Sequence, residues 1–282
     1  MRIPSSLPIL LAACAFSAAC GDNDDDRAIE VAFRAVVGDQ PAACGTTYAG
    51  IGTTQSTLSL RELKMYVSDV SVLYRDGHEH ELELDQDGVW QRDAVALLDF
   101  ENATGDCSQG TAETNLSLRG LAHGGDITGV RFTVGLPPEM NHLDAATAPA
   151  PLNAPGMWWS WKGGYKFLRL DARTRGNPAY FLHLGSAACD GDSSAGYTCS
   201  KGNAPRVTVS GIDLDRQAVV LDLAKLWGEV DLDRQIDMRT DFVQGCMAGP
   251  TDPECPAVFA RLGLSAEGTG GELQSVFAAG AR

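Results

Sequence analysis

The segment LKMYVSDVSVLYRDGHEHELEL, residues 63–84, decides the fold class of this chain. Its apolar residues alternate with polar ones, and this period of two is typical of a β-strand with two different faces. Leu63, Met65 and Val67 lie on one face, and the pattern then reaches a turn at Arg75-Asp76-Gly77. Because alternation resumes after the turn, the segment predicts a β-hairpin.

Similar short alternating segments recur along the chain. They predict strands over residues 29–37, 63–72, 78–84, 130–135, 158–161, 165–170, 180–184, 207–210 and 219–223. Helical patterns are scarce, and short helices are predicted over residues 94–98, 223–227 and 257–262. Many short strands joined by Gly- and Pro-rich turns predict an all-β protein. We expect an antiparallel β-sandwich or barrel-like single domain with short helices and long disulfide-stapled loops.

The first residues of the chain predict export. The apolar run Leu7–Ala19 is too short to span a bilayer, so residues 1–19 are interpreted as a signal peptide. The letters Ser-Ala-Ala-Cys that end at Cys20 resemble a bacterial lipobox, and Cys20 is the expected lipidation site. Cys14 fits the lipobox better letter by letter but leaves a very short apolar region before it. Simple secretion is the other alternative.

The predicted mature chain begins with an acidic lipoprotein tether, residues 20–27, and continues as a single domain over residues 28–282. We expect a lipid-anchored periplasmic, outer-membrane or cell-surface protein with no transmembrane helix in the mature chain. The sequence carries 37 acidic and 22 basic residues, a formal net charge of −15. Such a surface repels nucleic acid and favours cationic partners, so no nucleic acid is expected to bind.

Six cysteines remain after Cys14 and Cys20 are set aside. An even number in an exported chain predicts disulfide bonds, although six cysteines allow 15 pairings. Proximity in sequence favours two short bridges and leaves one pair over. The predicted disulfides are Cys44–Cys107, Cys189–Cys199 and Cys246–Cys255.

Residues 156–167, GMWWSWKGGYKF, hold three of the five tryptophans. On a strand, Trp159 and Trp161 face one side and Trp158 faces the other. Burial in a core accounts readily for one indole, but less readily for indoles on both faces. Exposed indoles also stack on sugars, so a carbohydrate-binding surface lipoprotein is the alternative function. A purely structural envelope protein is a third hypothesis.

Histidine is scarce, and its spacing alone identifies no metal site. His78 and His80 share a strand face, from which two imidazoles can reach one metal ion, but a polar hairpin end is the preferred interpretation. His123 is interpreted as a turn residue, His142 lies in a loop and His183 lies on a predicted strand. The sequence holds none of the nucleophile, metalloprotease, P-loop or dinucleotide-binding signatures. We therefore expect the protein not to be an enzyme.

A series of motifs between about residues 60 and 190 resembles the MbnP family, the four-cysteine member of the "metallo-mystery pair". In chain order these motifs are Tyr66-Val67-Ser68-Asp69-Val70, Ala96-Leu97-Leu98-Asp99-Phe100-Glu101, Val134-Gly135-Leu136-Pro137, Asn141-His142-Leu143-Asp144, Ala148-Pro149-Ala150-Pro151-Leu152-Asn153, Met157-Trp158-Trp159-Ser160-Trp161, Gly164-Tyr165-Lys166-Phe167, His183-Leu184-Gly185-Ser186 and Cys189. The remaining C-terminal third matches only loosely.

The resemblance implies a periplasmic or surface copper-binding protein that acts in copper acquisition or handling. Members of the family are encoded beside MbnH, a di-haem protein of the cytochrome c peroxidase type, which oxidises a tryptophan of MbnP to kynurenine. Copper is then held by histidines together with the kynurenine, as in the related methanotroph proteins MopE and CorA. The resemblance thus implies copper and a tryptophan-derived kynurenine as cofactors, and an MbnH-like protein as the partner.

Carried onto this chain, the family's histidines correspond to His142 and His183. The family's M-x-W-x-W motif places the two candidate tryptophans at Trp159 and Trp161, with Trp161 slightly preferred as the oxidised residue. Trp158 stands where the family usually has another aromatic residue. A second tier of candidate metal ligands comprises His78, His80 and Met157.

Overall fold

The structure is a computed structural model that describes residues 26–235, 244–249, 252–270 and 273–282. The predicted signal peptide and the predicted lipidation site Cys20 lie outside the described residues. The first strand begins at Asp26, inside the last two residues of the predicted acidic tether. Within the described ranges, no helix is long and apolar enough to cross a membrane.

The secondary structure is mostly strand. The strands are β1 (Asp26–Val37), β2 (Gln40–Pro41), β3 (Thr47–Ile51), β4 (Ser56–Tyr74), β5 (Glu79–Glu81), β6 (Glu83–Leu84), β7 (Gln91–Arg92), β8 (Val95–Asp99), β9 (Ser117–His123), β10 (Ile127–Val134), β11 (Trp158–Ser160), β12 (Gly164–Tyr165), β13 (Leu168–Thr174), β14 (Tyr180–Leu184), β15 (Ala187–Asp192), β16 (Gly196–Lys201), β17 (Arg206–Ser210), β18 (Gln217–Asp222), β19 (Gly245–Cys246) and β20 (Phe277–Ala281). The helices are α1 (Leu223–Leu226) and α2 (Cys255–Arg261), with a 3₁₀ turn at Gly105–Cys107.

Two large sheets form the body of the protein. The larger sheet has the order β17-β10-β4-β13-β14-β19, and β3, β5 and β8 also pair with β4. The smaller one has the order β20-β18-β1-β9-β6. Aromatic contacts join the two sheets, since the ring of Phe132 on β10 lies 5.4 Å from Phe33 on β1 and 5.5 Å from Phe277 on β20. The predicted sandwich is therefore confirmed.

The sheets are mixed, whereas the sequence predicts purely antiparallel pairing. Strand β1 pairs with β18 in parallel, and β14 pairs with β19 in parallel. Each pair joins segments that are far apart in the chain, so no hairpin turn forces them to be antiparallel. Among the described residues the strand order does not close into a barrel.

The predicted hairpin after β4 is confirmed, and it links the two sheets. Its return arm divides at Leu82, because β5 pairs with β4 in the larger sheet and β6 pairs with β9 in the smaller one. Leu82 itself is buried in the core between the sheets. The hairpin therefore joins the larger and the smaller sheet at one edge of the sandwich.

One of the three predicted helices is wrong. Residues 94–98 contribute to the strand β8 (Val95–Asp99), which is buried along its whole length against β4. A short apolar run of this length fits a buried strand as well as a helix, and periodicity alone does not separate them. The other two predictions are confirmed by α1 and α2.

All three predicted disulfides are confirmed. Cys44–Cys107 joins the loop after β2 to the 3₁₀ turn, Cys189–Cys199 joins β15 to β16, and Cys246–Cys255 joins β19 to α2. Bridges with loops of this size typically stabilise a fold by about 2–4 kcal/mol.

The outer face of the larger sheet is covered by a second core. Strand β4 turns Leu63, Met65 and Val67 toward the sandwich core, and Tyr66 toward the opposite face. There the segment from Leu136 to Phe167 packs over it. The members of this second core are Tyr66, Val95, Leu97, Leu136, Leu152, Met157, Tyr165 and Phe167.

A buried charged cluster lies on the same outer face. The Nζ atom of Lys64 is 3.3 Å from Glu62, 3.4 Å from Asp99 and 3.1 Å from Glu101. Arg169 adds a second cation, 3.2 Å from Glu62. Burial raises the pKa of Asp99 to about 6, although Lys64 opposes this effect. Three carboxylates around one ammonium group leave the cluster sensitive to any loss of positive charge.

The raised pKa of Asp99 predicts a specific pH dependence of stability. The folded chain holds a proton on this group up to about pH 6, whereas the unfolded chain loses it near the model value of 3.8. The native state therefore loses stability as the pH rises from about 4 to 6, by at most about 3 kcal/mol. Urea unfolding across this range should show a smaller loss in Asp99→Asn than in the wild type, because the pKa values of the buried carboxyls of Glu62 and Glu254 are also raised and still contribute. The exposed control Asp85→Asn should behave like the wild type, and equal slopes for all three proteins would contradict the prediction.

Candidate functional site

The tryptophan-rich segment forms a short hairpin above the second core. Trp158 on β11 pairs with Tyr165 on β12, and Ser160 pairs with Gly164. The side chain of Met157, just before β11, is fully buried in the second core. The ring of Tyr165 meets Tyr66 of β4 edge to face at 5.9 Å. Strand β4 thus supports the hairpin directly.

Trp159 and Trp161 do not share a face, so that part of the strand prediction is wrong. Strand β11 ends at Ser160, and its pairing with β12 is irregular between Trp158 and Ser160. Trp161 therefore lies in the turn, where its ring meets Trp158 edge to face at 5.8 Å. It is 45 % exposed, whereas Trp158 and Trp159 are half-buried.

Trp159 lies between a histidine and a lysine. Its ring centroid is 6.3 Å from that of His183 and 6.0 Å from Nζ of Lys166. The ring also fits closely over Gly185, where a Cβ atom would come within 2.6 Å of it. Any side chain at position 185 would displace the indole, which explains why glycine occupies that position.

His183 has one ring nitrogen bonded and the other open. Its Nε2 atom is 2.5 Å from Oδ1 of Asp171. Its buried Nδ1 atom has no hydrogen-bond partner among the described residues. A histidine that bonds a carboxylate through one nitrogen and leaves the other free has the arrangement typical of a metal ligand with its supporting carboxylate.

Electrostatics keep this histidine neutral and its carboxylate charged. Burial lowers the pKa of His183, and the bond to Asp171 opposes that effect only in part. Burial alone would raise the pKa of Asp171, but hydrogen bonds from His183 and Arg169 outweigh it, so this pKa is lowered. A neutral imidazole carries the lone pair that a metal ligand needs.

Lys166 adds a weakly held positive charge beside Trp159. Burial lowers its pKa to about 8, with Arg169 acting in the same direction. Its Nζ atom donates a hydrogen bond to the carbonyl oxygen of Gly156 at 2.6 Å. The ammonium group therefore loses its proton near pH 8, which removes the positive charge next to the indole.

His142 lies beside the turn of the β11–β12 hairpin. Its Nδ1 atom is 2.8 Å from the carbonyl oxygen of Trp161, so this nitrogen must carry the proton. Its Nε2 atom then accepts a hydrogen bond from Nδ2 of Asn141 at 3.2 Å and lies 3.3 Å from Sγ of Cys199. The ring also packs against Tyr197, with centroids 4.9 Å apart.

Asn141 holds the loop of His142 to the hairpin. Its Oδ1 atom accepts a hydrogen bond from the backbone N–H of Tyr165 at 3.0 Å. Gly164, with φ of +68°, lies so close that a Cβ atom would come within 2.6 Å of Oδ1. The Asn-His and Gly-Tyr motifs therefore belong to one contact.

The structure arranges the four primary candidates as two pairs. Trp159 lies beside His183, and His142 bonds the backbone of Trp161. His142 and Trp161 also line one surface cleft of about 290 Å³. Both tryptophans lie on the β11–β12 hairpin, whereas His142 lies in the loop before it and His183 lies on β14.

The second-tier histidines lie elsewhere, on the hairpin that joins the two sheets. His78 is highly exposed and its Nδ1 atom is 2.9 Å from Asp76. The ring of His80 lies 4.0 Å from that of His123, which is the last residue of β9 and not part of a turn.

Sequence reasoning missed Asp171, Lys166 and Asn141 as site residues. Asp171 faces Phe181 in the β13–β14 ladder, and His183 faces Arg169, so Asp171 and His183 are diagonal neighbours. That relation can be read only once the register of the two strands is known. Asn141 and Lys166 each lie within a motif that resembles the family. Asn141 directly precedes the candidate ligand His142, and Lys166 follows the tryptophan-rich motif.

Removing the Asp171 carboxylate should lower the pKa of His183 further. Burial already disfavours the imidazolium ion, and Asp171 is the group that opposes burial. An NMR titration of the His183 ring in the wild type and in Asp171→Asn measures this effect. Asp76→Asn, which removes the exposed carboxylate beside His78, is the matched control and should leave the His183 titration unchanged. A raised or unchanged His183 pKa in Asp171→Asn would count against the assignment.

Comparison with known proteins identifies the family of this chain. A search among curated proteins returned no match. The profile of the MbnP family matches residues 26–248. The structure of MbnP from Methylosinus trichosporium superimposes with a TM-score of 0.81 at 27 % sequence identity, covering 91 % of this chain and 99 % of that one. Because the family profile extends over most of its length, this chain belongs to the MbnP family.

Proposed function

We propose that this protein is an exported copper-binding protein and not an enzyme. Its copper site is completed when one tryptophan of the hairpin is converted to kynurenine by an MbnH-like di-haem partner, and it acts in copper acquisition or handling. The observation that carries the proposal is His183, whose Nε2 atom bonds Asp171 while its buried Nδ1 atom has no partner in the described chain, beside Trp159.

The residues fit copper in their donor chemistry. Imidazole nitrogen is a good copper ligand, and copper exceeds the other first-row divalent metals in affinity for nitrogen and oxygen sites. An intact indole is only a hydrogen-bond donor. Kynurenine offers an aryl amine and a ketone, which are both possible donors. Neutral donors add no anionic charge to the site, which favours Cu(I).

The conversion has a definite chemical balance. Cleavage of the C2–C3 bond of the indole removes four electrons and adds two oxygen atoms, giving N-formylkynurenine. Water then releases the formyl group as formate and leaves kynurenine. Two molecules of hydrogen peroxide, used by a di-haem partner of the peroxidase type, would accept the four electrons, and the balance yields N-formylkynurenine and two molecules of water.

Trp159 is the better candidate for oxidation on geometric grounds. It is the indole in contact with His183, whereas Trp161 contributes a backbone carbonyl to His142. The half-exposed Trp161 lies at the surface of the same hairpin, where a haem protein can approach. The net charge of −15 favours a partner with a basic docking face.

The proposed location is the periplasm or the outer surface of the cell, with Cys20 as a lipid anchor. Three disulfides agree with an oxidising compartment.

The maturation step is tested by mass spectrometry. The protein is isolated from cells with and without the di-haem partner, and peptides spanning residues 157–167 are sequenced. We expect kynurenine at position 159 only when the partner is present. Trp159→Phe should abolish kynurenine formation. Trp161→Phe should at most lower its yield and should not abolish it. Unmodified tryptophan in every sample would refute maturation in this protein, and modification confined to position 161 would move the copper site to the His142 pair.

Copper binding is tested by ranking histidine variants. His183→Ala should weaken Cu(I) binding by matured protein roughly tenfold or more, because it removes a ligand held by its own carboxylate. His142→Ala measures how much the His142–Trp161 pair contributes to Cu(I) binding. The control is the double change His78→Ala/His80→Ala, which should have the smallest effect. A larger effect of this control would place the copper site on the hairpin that follows β4. Glycan binding without copper binding would favour the carbohydrate-binding alternative.

A further inference from the structure

We propose that the Cys189–Cys199 disulfide closes a second metal site, which opens when the bridge is reduced. The two cysteine thiolates and Nε2 of His142 would then hold one thiophilic metal ion, with Cu(I) as the expected occupant. One ligand atom from each of these three residues lies within 4.8 Å of the other two. This inference goes beyond the kynurenine site and does not require it.

The β15–β16 ladder keeps the two sulfur atoms together without the bridge. Cys189 and Cys199 are directly opposite each other in the antiparallel register. The pairing continues on both sides, from Ala187 opposite Lys201 to Asp192 opposite Gly196. Because the backbone of the hairpin aligns the two residues, their thiols should remain neighbours after reduction.

His142 is already oriented as a ligand toward these sulfur atoms. The carbonyl of Trp161 holds the proton on Nδ1, so the lone pair of the ring is on Nε2. That atom lies 3.3 Å from Sγ of Cys199, and on metal binding it would exchange its hydrogen bond from Nδ2 of Asn141 for the metal ion. A backbone carbonyl on the far nitrogen is a common way to fix the tautomer of a ligating histidine. Thiolate and imidazole together suit Cu(I).

The bridge is also the most accessible of the three. His142 and Cys199 line a surface cleft of about 430 Å³, and Cys199 is partly exposed. The other cysteine of this bridge, Cys189, is 9 % exposed, whereas Cys107, Cys246 and Cys255 of the other two bridges are each 2 % exposed or less. Thiol–disulfide exchange requires access of the attacking thiolate to sulfur, so a dithiol should reduce this bridge first.

The reduction balances as an ordinary exchange. A dithiol, either a small molecule or a thiol–disulfide oxidoreductase, gives two electrons and two protons to the bridge and becomes a disulfide itself. The S–S bond between Cys189 and Cys199 breaks and two thiols form. Metal binding releases their protons. Transfer of two electrons from the two sulfur atoms to a disulfide oxidant, which becomes a dithiol, would re-form the bridge and expel the metal ion.

The experiment uses the whole purified protein, oxidised or treated with limiting dithiothreitol that is then removed without oxygen. Ellman's reagent counts the thiols, Co(II) reports thiolate ligation through its charge-transfer absorption, and competition with a bathocuproine chelator measures Cu(I) affinity. We expect one opened bridge, a cobalt–thiolate band and at least tenfold tighter Cu(I) binding in the reduced protein. Two free thiols without that band would overturn the proposal.

Variants assign the effect to its residues. Cys189→Ser/Cys199→Ser should abolish the response to reductant, and the matched control Cys246→Ser/Cys255→Ser, which removes a bridge of similar loop length, should keep it. His142→Ala should form both thiols but bind Cu(I) more weakly than the reduced wild type. A response that survives in the first variant, or is unchanged in His142→Ala, would refute the site.

Two further measurements keep the result independent of folding and of kynurenine. Alkylation of the reduced wild type with iodoacetamide should eliminate the cobalt band without any mutation, and a band that persists would overturn the proposal. Trp159→Phe, which cannot form kynurenine at that position, should keep the full response to reduction. Loss of the response in Trp159→Phe would show that the two sites are one and would refute a separate thiolate site.

Discussion

The structure depends on the burial of both faces of β4. One face of this 19-residue strand packs into the sandwich core, and the other carries Tyr66, Lys64 and Glu62 under the second core. A strand in this position cannot leave its polar side chains to water, so it must supply them with partners. Lys64 meets three carboxylates, and the hydroxyl of Tyr66 donates to the carbonyl of Pro151 at 3.0 Å.

The tryptophan hairpin follows from this constraint. Tyr165 and Met157 complete the second core, and the strand pair between them must present its indoles at the surface of that core. The hairpin is thereby held from below by apolar packing and from the side by Asn141. A binding site needs such support, because ligands on a loosely held loop are not kept in position.

A chain of buried charges links the charged cluster to the proposed copper site. Asp171 bonds both His183 and Arg169, and Arg169 reaches Glu62, which in turn contacts Lys64. The carboxylate that orients His183 is therefore held in place by cations of the sheet itself. This arrangement explains why Asp171 remains charged in a buried environment and why His183 can keep one nitrogen open.

The sequence by itself determined the β architecture, two of the three short helices and all three disulfides. Alternation with a period of two reports which residues share a strand face, and nearby cysteines in an exported chain tend to pair with each other. It also located the tryptophan run and the two histidines, through motifs that occur in the order typical of the family. Tertiary structure alone decided that β1–β18 and β14–β19 are parallel and that residues 95–99 form a strand. It also decided that Trp159 meets His183 while Trp161 turns onto Trp158. These outcomes depend on strand register and on packing between segments far apart in the chain, which local periodicity does not contain.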